Sequence, residues 1–175
     1  LPTDLPDDST LWTTASPTPG SILQGQSMSV TCLPATGAAL ISGNLDAAIA
    51  ALAPGAALLG LLDARPHTPF ALRIARDRAL LITAEPLDLV PGWHDGFAVS
   101  PADDLYLVLA ITGEGARGLQ DACLSAPAGS PSAAAPFGGH ACLVLDNGQG
   151  PDVWVPAPEA AALWLRLSRL VAALD

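Results

Sequence analysis

The chain has no lysine, one methionine and one tyrosine, and only 5% of its 175 residues are aromatic. Without lysine it cannot carry a Walker-type phosphate lysine, a Schiff-base nucleophile or an anchor for pyridoxal phosphate. Positive charge is scarce: seven arginines stand against 17 acidic residues, for a net charge of −10. That balance argues against nucleic acid, whose phosphates are bound by clustered Lys and Arg with release of counterions. Arg73, Arg76 and Arg78 do cluster, but in the pattern of a charged hairpin tip. The three cysteines, Cys32, Cys123 and Cys142, are odd in number and widely spaced, so neither a disulfide framework nor a Cys-x-x-Cys metal pair is visible. They read as buried thiols in a reducing compartment. No basic-then-apolar leader is present, and the longest charge-free apolar run, 47–62, is too short for a bilayer and is broken by Pro54-Gly55. The expectation is a soluble, cytoplasmic protein without a membrane span.

What the chain does have is apolar residues, 50% of the total, with a mean hydropathy of +0.41. For so acidic a chain this predicts either an alanine-filled interior or an apolar face covered by a partner. Residues 1–27, rich in Pro, Ser, Thr and Asp, read as an extended N-terminal arm laid over this protein's surface or a neighbour's. Residues 28–96 read as a β-α-β-β half. A short strand covers 28–33. Asn44 caps a helix with the stripe Leu45, Ile49 and Leu52, which Pro54-Gly55 ends. Phe70, Leu72 and Ile74 alternate as a strand that turns at Arg76-Asp77-Arg78 and returns over 79–83.

Residues 97–175 read as a β-β-α-β-β-α half packed with the first as one domain. Leu105 to Ile111 is apolar on both faces, as in a central strand. Thr112 is the expected cap of a helix over 113–124, with Glu114 in its first turn, and 126–135 is expected to be a loop. Asn147-Gly148 marks a hairpin. Pro158 opens a final helix whose apolar stripe runs Ala160, Leu163, Trp164, Leu167, Leu170, Val171 and Leu174, with Arg166 and Arg169 on the polar side near its C-terminal end. The fold class is α+β, in ferredoxin-like, split βαβ halves with antiparallel-rich sheets.

Candidate chemistry is sparse. No Gly-x-Ser-x-Gly elbow and no His-Glu-x-x-His helix is present. Strand alternation puts His140 and Cys142 on one face, with Asp146 beyond, and a thiolate beside an imidazole would be an activated nucleophile. The competing reading is a core cysteine, a histidine at a strand entrance and an aspartate in a turn. The pair with Cys123 makes a poor metal site because a fourth ligand is missing, so no metal is expected. Trp93, His94 and Asp95 form a loop cluster of the kind that binds ligands, unless Trp93 simply plugs the core edge. Trp154 and Trp164 read as core. Gly113-Glu114-Gly115 resembles half of a phosphate-binding turn.

Three stretches resemble one family: FALRIARDRALLI (70–82), FAVSPADDLYLVLAITGEGARGLQDACL (97–124) and FGGHACLVLDNGQGPDVWVPAPEAAALWLRL (137–167) and onward to 174. They are similar to the strand-turn-strand, Gly-led helix, hairpin and closing helix of the gamma subunit of heterotetrameric sarcosine oxidase. That family lies within the T-protein-like folate-binding superfamily of the glycine-cleavage system. The family's Cys-Pro-Leu-Asp is reduced here to Cys123, followed by Leu124-Ser125-Ala126-Pro127. The resemblance implies a divergent, non-catalytic accessory subunit of a folate- and flavin-linked oxidoreductase in one-carbon metabolism. It implies no cofactor of the chain's own, with folate and flavin in a larger partner subunit. Self-association is the other arrangement expected. Two further functions are a stand-alone folate-type binding domain with an aminomethyltransferase-like fold, and a Cys-dependent enzyme using Cys142.

Overall fold

The computed structural model describes residues 15–126 and 129–174. Among these, twelve strands form two six-stranded sheets. The first contains, in spatial order, β1 (Ile22–Gln24), β2 (Ser29–Cys32), β9 (Tyr106–Thr112), β12 (Pro151–Pro156), β11 (His140–Asp146) and β10 (Ala134–Phe137). The second contains β4 (Ala57–Leu59), β5 (Phe70–Ala75), β6 (Arg78–Thr83), β3 (Gly37–Gly43), β8 (Phe97–Pro101) and β7 (Gly92–Trp93). Every pairing is antiparallel except β4 with β5. The class is therefore α+β, as expected.

Strand side chains alternate between faces, so a sheet with two buried faces needs apolar residues on both. Strand β6 shows this: Ala79 and Leu81 enter one core, Leu80 and Ile82 another, and all four are buried. The outer face of the second sheet packs on α1 (Leu45–Leu52) through Ile41, Ala71, Leu81 and Val99. The facing surfaces of the two sheets bury Phe70, Leu72 and Leu80 against Leu143, Leu145 and Trp154. The outer face of the first sheet packs on α2 (Ala116–Cys123) and α3 (Ala160–Leu174) through Val144, Val153, Leu119 and Leu163. The result is four layers, helix, sheet, sheet and helices. Three apolar interfaces use most of the chain's apolar half, so the composition alone does not require a covering partner.

The two sheets are built alike. The run β3-α1-β4-β5-β6 and the run β9-α2-β10-β11-β12 place their strands in the same spatial order. Each is then completed by a strand pair from elsewhere in the chain, β8-β7 beside β3 and β2-β1 beside β9. Ile41-Ser42-Gly43 and Ile111-Thr112-Gly113 occupy matching places, with both isoleucines fully buried. Gly43 has φ +96 and Gly113 has φ +105. A Cβ on Gly43 would lie 2.7 Å from the Gly96 carbonyl oxygen, and one on Gly113 2.5 Å from that of Ser27. Both positions need glycine for conformation and for space.

Several sequence expectations change. Strand β3 was not anticipated, nor β4, and β10 begins inside the stretch expected to be a loop. Thr112 does not cap α2: it ends β9, and its hydroxyl lies 3.0 Å from that of Ser29. Helix α2 starts later, after Gly115, with no side-chain cap and no acidic residue in its first turn. Asn44 does cap α1, accepting from the Ala47 amide at 3.1 Å. Pro158 lies in a 3-10 turn (Ala157–Glu159) that leads into α3, and the last turn of α3 holds no basic residue. Of the arm, residues 1–14 lie outside the described residues, while β1 pairs with β2 of this same chain. No described helix is long and apolar enough to cross a membrane.

Candidate functional site

The crossovers β2 to β3 and β8 to β9 carry the chain between the sheets, and both line the open end of the inter-sheet core. The Leu33 amide donates to the Val108 carbonyl at 2.8 Å, and the Ala102 amide to that of Ala38 at 2.9 Å. Two adjoining cavities of about 290 Å³ and 250 Å³ open here. Their shared wall includes Trp154 and Ile82, and Trp154 meets Phe70 edge to face, with ring centroids 6.1 Å apart. Asp103 lines the larger cavity, one carboxylate oxygen accepting from the Ala38 amide at 2.7 Å. Arg65, His67 and Thr68 line the smaller one.

Arg65 is placed by backbone pairing. Residues 63–65 run beside the end of β11: the Asp146 amide donates to the Asp63 carbonyl at 2.9 Å and the Arg65 amide to the Asp146 carbonyl at 2.7 Å. The guanidinium then reaches Asp152 Oδ2, on a side chain with no exposed surface. That contact is an ion pair without hydrogen-bond alignment, since Oδ2 has no well-directed donor. Oδ1 accepts from Asn147 at 2.7 Å. Burial pushes the Asp152 carboxyl above its ordinary range; the Asn147 hydrogen bond and the Arg65 charge pull it back, and Asp146 adds to the rise. Neighbouring Asp146 moves the other way. Burial opposes its charge, but the Arg117 hydrogen bond at 2.7 Å, the Gly148 amide and the Arg117 charge together hold it below that range.

The residues singled out from sequence lie elsewhere and do not converge. His140 Nδ1 is 2.8 Å from Glu159 Oε2 at the entrance of β11. Cys142 is buried in the layer under α2 and α3, its thiol pushed up to about 12 by burial, then by Glu159 and Cys123. Such a thiol stays protonated and is a poor nucleophile. Asp146 is committed to Arg117, so the three groups form no relay. Cys32 and Cys123 are also buried with raised thiols. No group of three or more His, Cys, Asp or Glu among the described residues is arranged to hold a metal ion.

Trp93 does not plug the core edge. It is 72% exposed on edge strand β7, while His94 stacks on Phe97 and its Nε2 lies 2.9 Å from the Val90 carbonyl. Trp154 is buried in the inter-sheet core, and Trp164 is half-buried against the core on the other face of the first sheet. The Gly113-Glu114-Gly115 turn is filled by protein: the Gly115 amide donates to the Ser27 carbonyl at 3.0 Å. Nothing in the sequence marks Arg65 and Trp154 as partners in one site. The one local signal was an isolated Arg-Pro-His in a polar connection.

No family model matches the chain, and no curated protein matches it. Among solved structures, a chain of the heterotetrameric sarcosine oxidase from Corynebacterium sp. U-96, determined in complex with pyrrole 2-carboxylate, is similar with a TM-score of 0.61. The two are 16% identical, and the match covers 89% of this chain and 87% of that one. At that identity the likeness establishes the fold.

Proposed function

We propose that this chain is a non-catalytic, gamma-like accessory subunit of a sarcosine oxidase-like or related amine-demethylating complex. The observation that carries this reading is the fold shared over nearly the full length of both chains with a subunit of a heterotetrameric oxidase. The commitment of His140 to Glu159, of Asp146 to Arg117 and of Cys142 to the core supports it, because each candidate group is occupied structurally. On this reading the chain carries no cofactor of its own; flavin and folate belong to a larger partner subunit, and the complex works in the cytoplasm. Tagged full-length chain, recovered from its native source, is expected to bring down a large flavin-absorbing protein in fixed ratio. Recovery of an abundant chain free of any partner, or an amine-oxidising activity of the isolated chain that His140→Ala removes, would overturn the reading.

A further inference from the structure

We propose that the cleft between the two sheets binds a small organic monocarboxylate with an apolar body, its carboxylate on Arg65. The inference concerns this chain alone and stands whether or not a partner subunit exists. Six residues (Leu33, Pro34, Thr36, Ile82, Val108 and Trp154) line both cavities, so the two lobes form one cleft. Each lobe is near the lower end of the 300–1,000 Å³ usual for ligand pockets, and the joined cleft falls within it. The shared wall is mostly aliphatic and aromatic, as a pocket for an apolar body requires.

The ends of the cleft differ in charge. Asp103 and Asp104 line the larger lobe, and no carboxylate lines the smaller one, where Arg65, His67 and Thr68 sit. In a chain of net charge −10, a lobe walled by Arg65 with no carboxylate on its surface runs against the composition, Asp152 lying behind the arginine and not on the wall. Arg65 is also pre-positioned. Its backbone is fixed to β11, and its guanidinium is drawn by charge to Asp152, which has no exposed surface and so serves as an anchor behind it. The Arg65 side chain nevertheless remains 36% exposed. A guanidinium offers five donors in a planar fork, and the ion pair through Nη1 leaves others for a second carboxylate. The anion therefore goes to the Arg65 lobe and the apolar body lies along Trp154, away from the aspartates.

The test is calorimetry on the full chain with 4-phenylbutanoate and its uncharged counterpart, 4-phenylbutan-1-ol. The acid is expected to bind saturably and the alcohol about tenfold more weakly or worse. Arg65→Gln is expected to lose the acid by a similar factor. Because that change strips the partner from buried Asp152 and can unfold the chain, Thr36→Trp serves as the second variant. It fills the shared wall from a half-buried position, leaves the Arg65–Asp152 pair intact, and is expected to abolish binding. Equal affinity for acid and alcohol, unchanged binding in Thr36→Trp, or no saturable heat up to about 10 mM acid would overturn the proposal.

Discussion

The two sheets share a plan and differ in cover. The first sheet lies under α2 and the fifteen-residue α3, whose Ala160, Leu163, Leu167 and Val171 are all buried. The second has only the eight-residue α1, and where the first sheet's chain goes on into α3, this one runs through residues 84–91 with Leu87 and Leu89 packed from the loop. Val90 of that loop is 77% exposed, and Trp93 stands exposed just after it. One strand plan is thus closed by a long amphipathic helix on one side and by a thin loop on the other. Apolar burial drives both, and the amount available sets how firmly each outer layer is held.

The sharpest way to break this comparison is to remove one core side chain from each outer layer. Leu163→Ala in the fully buried layer is expected to cost about 4 kcal/mol, and Ile49→Ala under α1 about 2 kcal/mol. Urea denaturation of both variants measures the gap, and equal losses would mean the thin cover is as tightly packed as the thick one. Next come the matched glycines. Gly43→Ala and Gly113→Ala each drive a methyl group into a backbone carbonyl at positive φ, so each is expected to cost about 3 kcal/mol. A large loss in only one would end the structural equivalence of the two turns.

Smaller effects separate the halves by charge. Arg65→Gln is expected to cost about 2 kcal/mol at pH 7, discounted for the exposure of the arginine, because it leaves a buried carboxylate unpaired. The sign of its pH dependence follows from Asp152. A carboxyl raised in the folded state favours folding below its unfolded pKa and loses that contribution as pH rises through the folded value. The penalty of Arg65→Gln should therefore shrink as the pH falls into the carboxyl range. Asp146, held low, acts oppositely: its contribution is present above its unfolded pKa and is lost as the pH falls through its depressed folded value. Smallest is Asn44→Ala, expected to cost about 1 kcal/mol by uncapping α1. Thermal melts followed by circular dichroism resolve it, and no loss would mean the cap is dispensable.

The sequence was legible wherever local chemistry and tertiary role agree. The stripe from Ala160 to Val171, the Asn44 cap and the Asn147-Gly148 turn all state their structure within a few residues. Strand β3 was hidden because Gly-Ala-Ala-Leu-Ile-Ser-Gly has little β-propensity of its own; it is a strand because β6 and β8 flank it. Thr112 is misleading because a hydroxyl before a helix signals a cap, whereas this turn is held by the Ser27 carbonyl, which accepts from the Gly115 amide and packs close on Gly113. The cleft was illegible for the same reason. Leu33, Arg65 and Trp154 come from the β2–β3 crossover, the β4–β5 connection and β12, and no spacing along the chain encodes their meeting.

The borrowed strand pairs have a consequence for synthesis. Residues 22–32 leave the ribosome before their place beside β9 exists, since 106–112 follow them. The second sheet, by contrast, can close once β8 is made. The β1–β2 pair must therefore wait, one edge unpaired, while some seventy intervening residues of chain emerge, and an unpaired strand edge is open to the wrong neighbour. The β2–β9 pairing fastens a segment made before the second sheet onto a strand made after it, which makes residues 22–32 a clasp between the two halves.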